Sequence, residues 1–183
     1  MKTTLITLAA IVGVCIIGFF MTMSSKNGAI SLEETVQTAS SDIEVQLSNR
    51  FQKLHELAAC VKKYDEHEYK TLVGVIEARG KNMSAKDAKN CIAAFSRLEE
   101  RYPELKSVSN YNKLMNDIAL TENILSQKKD AYNKSVKDYK YHCRKFPTSL
   151  FLSITGYEVV QFEYYSTTDE VKGSDNHALK LFD

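Results

Sequence analysis

The stretch Ser109 to Phe146, SNYNKLMNDIALTENILSQKKDAYNKSVKDYKYHCRKF, decides the fold. Tyr111, Leu114, Ile118, Leu125, Tyr132, Val136, Tyr139, Cys143 and Phe146 recur at steps of three, four or seven residues. That is the spacing of one face of an α-helix. No proline or glycine interrupts it, and at 1.5 Å per residue the helix would run roughly 57 Å. A helix that is apolar on one stripe only has to bury that stripe against other helices. The stretch therefore predicts an all-α protein, an antiparallel bundle of about four long helices. Ser109 or Asn110 would cap its start, and Pro147 would stop it.

The preceding segments repeat the theme. Leu32, Val36, Ala39, Ile43, Leu47, Phe51, Leu54, Ala58, Val61 and Tyr64 recur at steps of three and four. Ser31-Leu32-Glu33-Glu34 fits a capping box at their start. The pattern extends through Leu72, Val73 and Ile76 to Arg79, where Gly80 can end a helix. The polar run Tyr64 to Tyr69 is the place for a kink or break. Ser84-Ala85-Lys86-Asp87 caps a short amphipathic helix carrying Ala88, Cys91, Ile92, Phe95 and Leu98. Tyr102-Pro103 ends that helix, because a residue before proline avoids the helical region.

The chain holds only two prolines and seven glycines in 183 residues, a scarcity of breakers that favours long helices over a many-turned sheet. Its 24 basic and 23 acidic residues leave a formal charge of +1. That balance excludes the basic footprint a nucleic-acid binder needs. The spacings of Cys15, Cys60, Cys91 and Cys143 match no zinc or redox motif, and such cysteines read as small core hydrophobes.

Thr3 to Met23 carries no charge and is long enough to cross a bilayer as a helix. The apolar run is longer than that of a cleaved signal and no good cleavage site follows it. Residues 1–25 are thus expected to be an uncleaved single-pass anchor held by membrane lipid. Lys26-Asn27-Gly28 opens a linker over 26–30, and the bundle occupies 31–165. Lys2 and Lys26 flank the span, so the positive-inside count sets no orientation. At the other end, Leu150 to Tyr165 is apolar and aromatic. It reads as a strap packed across the bundle end or along a groove, with a membrane-interface element as the alternative. Residues 166–183 form a polar tail expected to be mobile, with an apolar tip at Leu179, Leu181 and Phe182.

The order of several motifs carries a resemblance. After the apolar segment come Ser41-Asp42-Ile43-Glu44-Val45-Gln46-Leu47 and Arg50, His67-Glu68, and Glu77-Ala78-Arg79. Tyr102-Pro103-Glu104-Leu105-Lys106, Thr121-Glu122-Asn123-Ile124, Tyr132-Asn133, Val136 and Phe146-Pro147 follow. From Met1 to about Phe162 the chain resembles the LemA family of bacterial membrane-anchored helical proteins. The resemblance implies an antiparallel bundle behind one membrane span, at the bacterial cytoplasmic membrane, and no established catalytic activity. The chain departs from the family pattern at Ser40, where a tryptophan is usual, and at His55-Glu56, where a proline is common.

Candidate sites are few. His67-Glu68 begins a zinc-protease motif, but the second histidine belongs four residues after the first, and Thr71 stands there. No metal or cofactor is expected. Asp42, Gln46 and Arg50 lie four apart and share a helix face, where neighbours can pair. Glu122 and Asn123 lie mid-helix near the seam. These five residues read either as a ligand-binding polar cleft or as polar pairs that hold helix register. We expect the second, and with it a non-catalytic interaction module that presents its bundle to a membrane-associated protein partner. The alternative is a ligand-binding protein or enzyme built on the seam.

Overall fold

The computed structural model describes residues 2–165, all of whose regular elements are helical. They are α1 (Lys2–Val61), α2 (Glu66–Arg79), α3 (Ala85–Arg101), a 3-10 turn (Pro103–Ser107), α4 (Ser109–Arg144) and α5 (Thr148–Ile154). The all-α bundle expected from the periodicity is therefore present, with the seven-residue α5 where the sequence reading had an apolar strap. The expected polar tail, 166–183, lies outside the described residues.

The structure breaks the first long segment at the polar run. α1 ends at Val61, and Asp65 caps α2 by accepting the N–H groups of His67 and Glu68 at 2.9 and 3.0 Å. Gly80, at φ +64°, closes α2 by donating its N–H to the carbonyls of Ile76 and Glu77. This is the left-handed turn that glycine enters at little steric cost. Ser84 caps α3 through the Asp87 N–H.

The linker expected at 26–30 is not a break. α1 runs helically from Lys2 to Val61, and Ser31 lies inside it, its carbonyl accepting from the Thr35 hydroxyl at 2.8 Å. A lone glycine costs a helix only about 1 kcal/mol, and burial of Ala29 and Val36 beside it offsets that cost. The capping box is therefore unused. Lys2–Val61 also contains a window apolar and long enough to cross a membrane, of mean hydropathy 2.5, whose residues are not covered by the rest of the chain.

The chain divides into two compact units, and both long helices contribute to each. One unit comprises 40–131 with Tyr165. Its core gathers Leu54, Leu57, Val61 and Ile76 with Phe95, Leu98, Leu105, Tyr111 and Ile118. α1 and α4 are antiparallel here: Asp42 meets Lys128, Arg50 meets Glu122 and Lys53 meets Asp117. The other described unit comprises residues 2–39 and 132–164. In it Val36, Tyr132, Val136, Tyr139, Cys143, Leu152 and Phe162 are buried. The α4 stripe is buried as its spacing predicts, except at Phe146, which is 82% exposed because the helix has already ended at Arg144. Thr121, 2% exposed, fills the gap in the stripe between Ile118 and Leu125.

Candidate functional site

Of the polar residues that the sequence singles out, Arg50 is the most deeply placed. Its side chain is 1% exposed, within α1. A guanidinium taken out of water must have its donors matched, or it costs several kcal/mol. Arg50 finds two partners. Nη1 donates to Glu122 Oε1 on α4 at 3.0 Å, and Nη2 donates to the Met83 carbonyl. Met83 lies in the α2–α3 connection, which is folded back by the Met83 N–H to Gly80 carbonyl bond. One side chain thus joins α1, α4 and the α2–α3 connection.

The surroundings extend this polar seam. Lys53, one turn beyond Arg50, donates to the Thr121 hydroxyl oxygen at 3.4 Å and lies 3.8 Å from Asp117. Thr121 in turn donates to the Asp117 carbonyl. Asp42 does not pair with Gln46 along its own helix. It accepts instead from Lys128 on α4 at 2.7 Å, half exposed, where an ion pair contributes little. Gln46 is half-buried. Asn123 is exposed: a residue next to Glu122 points about 100° away from it around a helix of 3.6 residues per turn.

His67-Glu68 has a structural employment. His67 offers its N–H to the Asp65 cap, and Glu68 accepts from Arg101 at 2.7 Å. The other Asp65 oxygen accepts from the Tyr102 hydroxyl at 2.8 Å. The Glu68 N–H and then the Tyr102 hydroxyl hold the Asp65 carboxyl below its ordinary range, and the same bond to Asp65 pushes the Tyr102 phenol up. Among the described residues, no three His, Cys, Asp or Glu side chains converge as metal ligands. Burial pushes the thiols of Cys60, Cys91 and Cys143 up, which favours the thiol over the more reactive thiolate.

Two surface hollows lie in the 40–131 unit. One, of about 180 Å³, is lined by Glu68, Leu72, Arg97 and Arg101 among others. The other, of about 480 Å³, is lined by Glu56, Cys60, Lys63, Tyr64 and Asn110 among others. Neither is lined by Asp42, Gln46, Arg50, Glu122 or Asn123.

The residues just described, from Asp42 through Glu68 and Tyr102 to Glu122, fall inside a stretch, 39–176, that matches the model of the LemA family. The chain belongs to the LemA family. The match begins after the apolar N-terminal segment and runs past Phe162, where the sequence reading ended the resemblance. No curated protein matches the chain. The LemA motif residues share a structural property: Arg50 with Glu122, Arg79 with Asp87, Glu68 with Arg101 and Tyr102 with Asp65 each join two different elements. Sequence reasoning named Glu122 and Asp87 without their partners across the fold, and did not single out Arg101 or Asp65. Only the sign of charge pointed to Lys128 and Arg101, and nothing marked the Met83 carbonyl.

A second polar chain lies in the 2–39/132–164 unit and carried no motif. The Val160 N–H donates to Tyr139 Oη at 3.0 Å, Tyr139 and Tyr157 hydroxyls lie 3.2 Å apart, and Tyr157 donates to Glu33. Because Tyr157 has one proton and spends it on Glu33, Tyr139 is the donor between the two. Burial first, then the bond to Glu33, pushes the Tyr157 phenol far above its ordinary value. With the Tyr139–Phe162 edge contact at 5.4 Å, this relay holds residues 157–162 against α1 and α4 as a strap.

Proposed function

We propose that this LemA-family chain is a single-pass protein of the bacterial cytoplasmic membrane whose helical bundle is a non-catalytic interaction module for a membrane-associated protein. The observation that carries this reading is the pairing of Arg50. Its Nη1 donates to Glu122 and its Nη2 to the Met83 carbonyl, so this buried cation is engaged in holding helices together. Binding sites for small molecules need a hollow with converging polar groups. The uncovered apolar window of α1 supports the anchor.

The test is photo-crosslinking in intact membranes, with crosslinkers along the exposed face of α4 at positions such as Asn123 and Lys137. One reproducible protein adduct confined to one face is the expected result. Adducts with lipid alone, or none, overturn the interaction-module reading.

A further inference from the structure

The end of α4 departs from the bundle pattern. Phe146 is 82% exposed, Leu150 is 52% exposed and Tyr141 67%. Phe146 and Leu150 are four residues apart, and Thr148 and Leu152 between and beyond them turn inward. Solvated apolar side chains this large, grouped at one end of a unit, mark a contact surface.

His142 locates that surface along α1. Its Nε2 lies 3.0 Å from the Ser25 carbonyl, and its ring lies so close to Gly28 that a Cβ there would meet Cε1 at 2.8 Å. Ser25 is two residues past Met23, the last residue of the uncharged apolar segment. Tyr139 connects through Tyr157 to Glu33, further along α1, so α4 descends towards the apolar segment as its numbers rise. Arg144, the last residue of α4, is two residues and about 3 Å of helical rise past His142, beside the end of that segment, and Lys145 and Phe146 follow it directly in the chain.

The charge at this end has one sign. No Asp or Glu occurs in residues 1–32 or 139–157, whereas Lys26, Lys140, Arg144 and Lys145 do. Arg144 and Lys145 are exposed, and Lys145 lies over the Tyr141 ring at 5.6 Å. Exposed aromatic and aliphatic side chains in a segment that carries cations and no Asp or Glu match the headgroup layer of a bilayer containing anionic lipid.

We propose that Phe146 and Leu150, flanked by Arg144 and Lys145, form a second membrane contact: a foot that inserts into the interfacial layer of the same bilayer that α1 crosses. This rests on the anchor reading above. The foot fixes the tilt and rotation of its own unit, 2–39 with 132–164, against the membrane, which a single helix cannot do.

The chain contains no tryptophan, so single Trp variants report their own surroundings. The full chain is reconstituted in phosphatidylethanolamine/phosphatidylglycerol vesicles as Phe146→Trp, Leu150→Trp and Ile11→Trp, the last in the middle of the apolar segment. Lipids brominated near the headgroup end or near the chain end serve as quenchers. Quenching of Phe146→Trp and Leu150→Trp by the shallow quencher, and of Ile11→Trp by the deep one, is the expected result. Quenching of Ile11→Trp alone overturns the foot and leaves the anchor standing. Quenching of the two foot variants alone overturns the anchor, and with it a foot in a bilayer that α1 crosses. Blue-shifted emission of the foot variants without quenching means a protein contact and overturns the foot, and quenching of none overturns both.

Discussion

Arg50 Nη1 lies 3.0 Å from Glu122 Oε1, a contact between residues 72 apart in the chain, with Arg50 1% and Glu122 18% exposed. The pair is asymmetric: the arginine is sealed in and the glutamate reaches water. Most of the desolvation cost therefore falls on Arg50, and Glu122 with the Met83 carbonyl compensates it.

Removing Glu122 leaves that buried cation with one partner. Glu122→Ala is expected to destabilise the protein by about 3 kcal/mol, the scale for a broken buried pair. The double variant Arg50→Met/Glu122→Leu should lie within about 1 kcal/mol of the parent, since a packed apolar pair needs no desolvation offset. Urea unfolding of the full chain in detergent micelles measures both. A Glu122→Ala variant as stable as the parent contradicts the pairing.

Asp65 offers a pH handle. Its carboxyl is held below the ordinary range by the Glu68 N–H, then by Tyr102. A lowered folded pKa stabilises the folded state above the unfolded pKa, about 3.9, and that stabilisation is lost as pH falls through the folded value. Tyr102→Phe should raise the Asp65 titration midpoint towards the unfolded value, read by carboxyl carbon chemical shifts. An unchanged midpoint rules out the Tyr102 bond as a cause.

The tyrosine relay separates two bonds. Tyr139→Phe removes the acceptor of the Val160 N–H, so that amide should exchange faster with solvent deuterium. Tyr157→Phe removes the bond to Glu33 but leaves that acceptor in place. It should cost about 1.5–3 kcal/mol, the range for a hydrogen bond to a charged group, with Val160 protected more than in Tyr139→Phe. Equal Val160 exchange in both variants contradicts the relay order.

Alkaline pH acts on buried phenols. Tyr111, fully buried and donating to the Phe95 carbonyl at 2.8 Å, has its pKa pushed up to about 12 by burial. A raised folded pKa contributes stability that is present below the unfolded value near 10 and is lost as pH rises through about 12. Ultraviolet titration should show its ionisation delayed until the core opens. Tyr111→Phe should remove that part of the alkaline loss, and an unchanged profile would assign it to other tyrosines.

Gly28 tests close packing. Gly28→Ala gains helix propensity of about 1 kcal/mol, but the new Cβ displaces the His142 ring. The substitution should therefore stabilise a His142→Ala background more than the parent chain, in a double-mutant cycle. Additive effects would mean that the ring does not occupy that space.

Much of the bundle was legible because helix formation is local. The α4 stripe from Tyr111 to Cys143, an interruption somewhere in Tyr64–Tyr69, the Gly80 end, the Ser84–Tyr102 boundaries and the stop near Pro147 all follow from spacing, caps and breakers within a few residues. Gly28 misled because it carries a breaker signal that α1 overrides through packing. Phe146 misled because its spacing continues a stripe whose helix ends two residues earlier.

The sequence by itself determined helix type, the apolar N-terminal segment and the LemA resemblance, since each depends on periodicity or motif order along the chain. Only the tertiary structure decided that Arg50 pairs with Glu122 and not with Gln46, that Asp42 reaches Lys128, and that His142 sets the end of α4 beside Ser25. Those choices depend on the register of two antiparallel helices. The whole buried stripe sets that register at once, and no local run of residues encodes it.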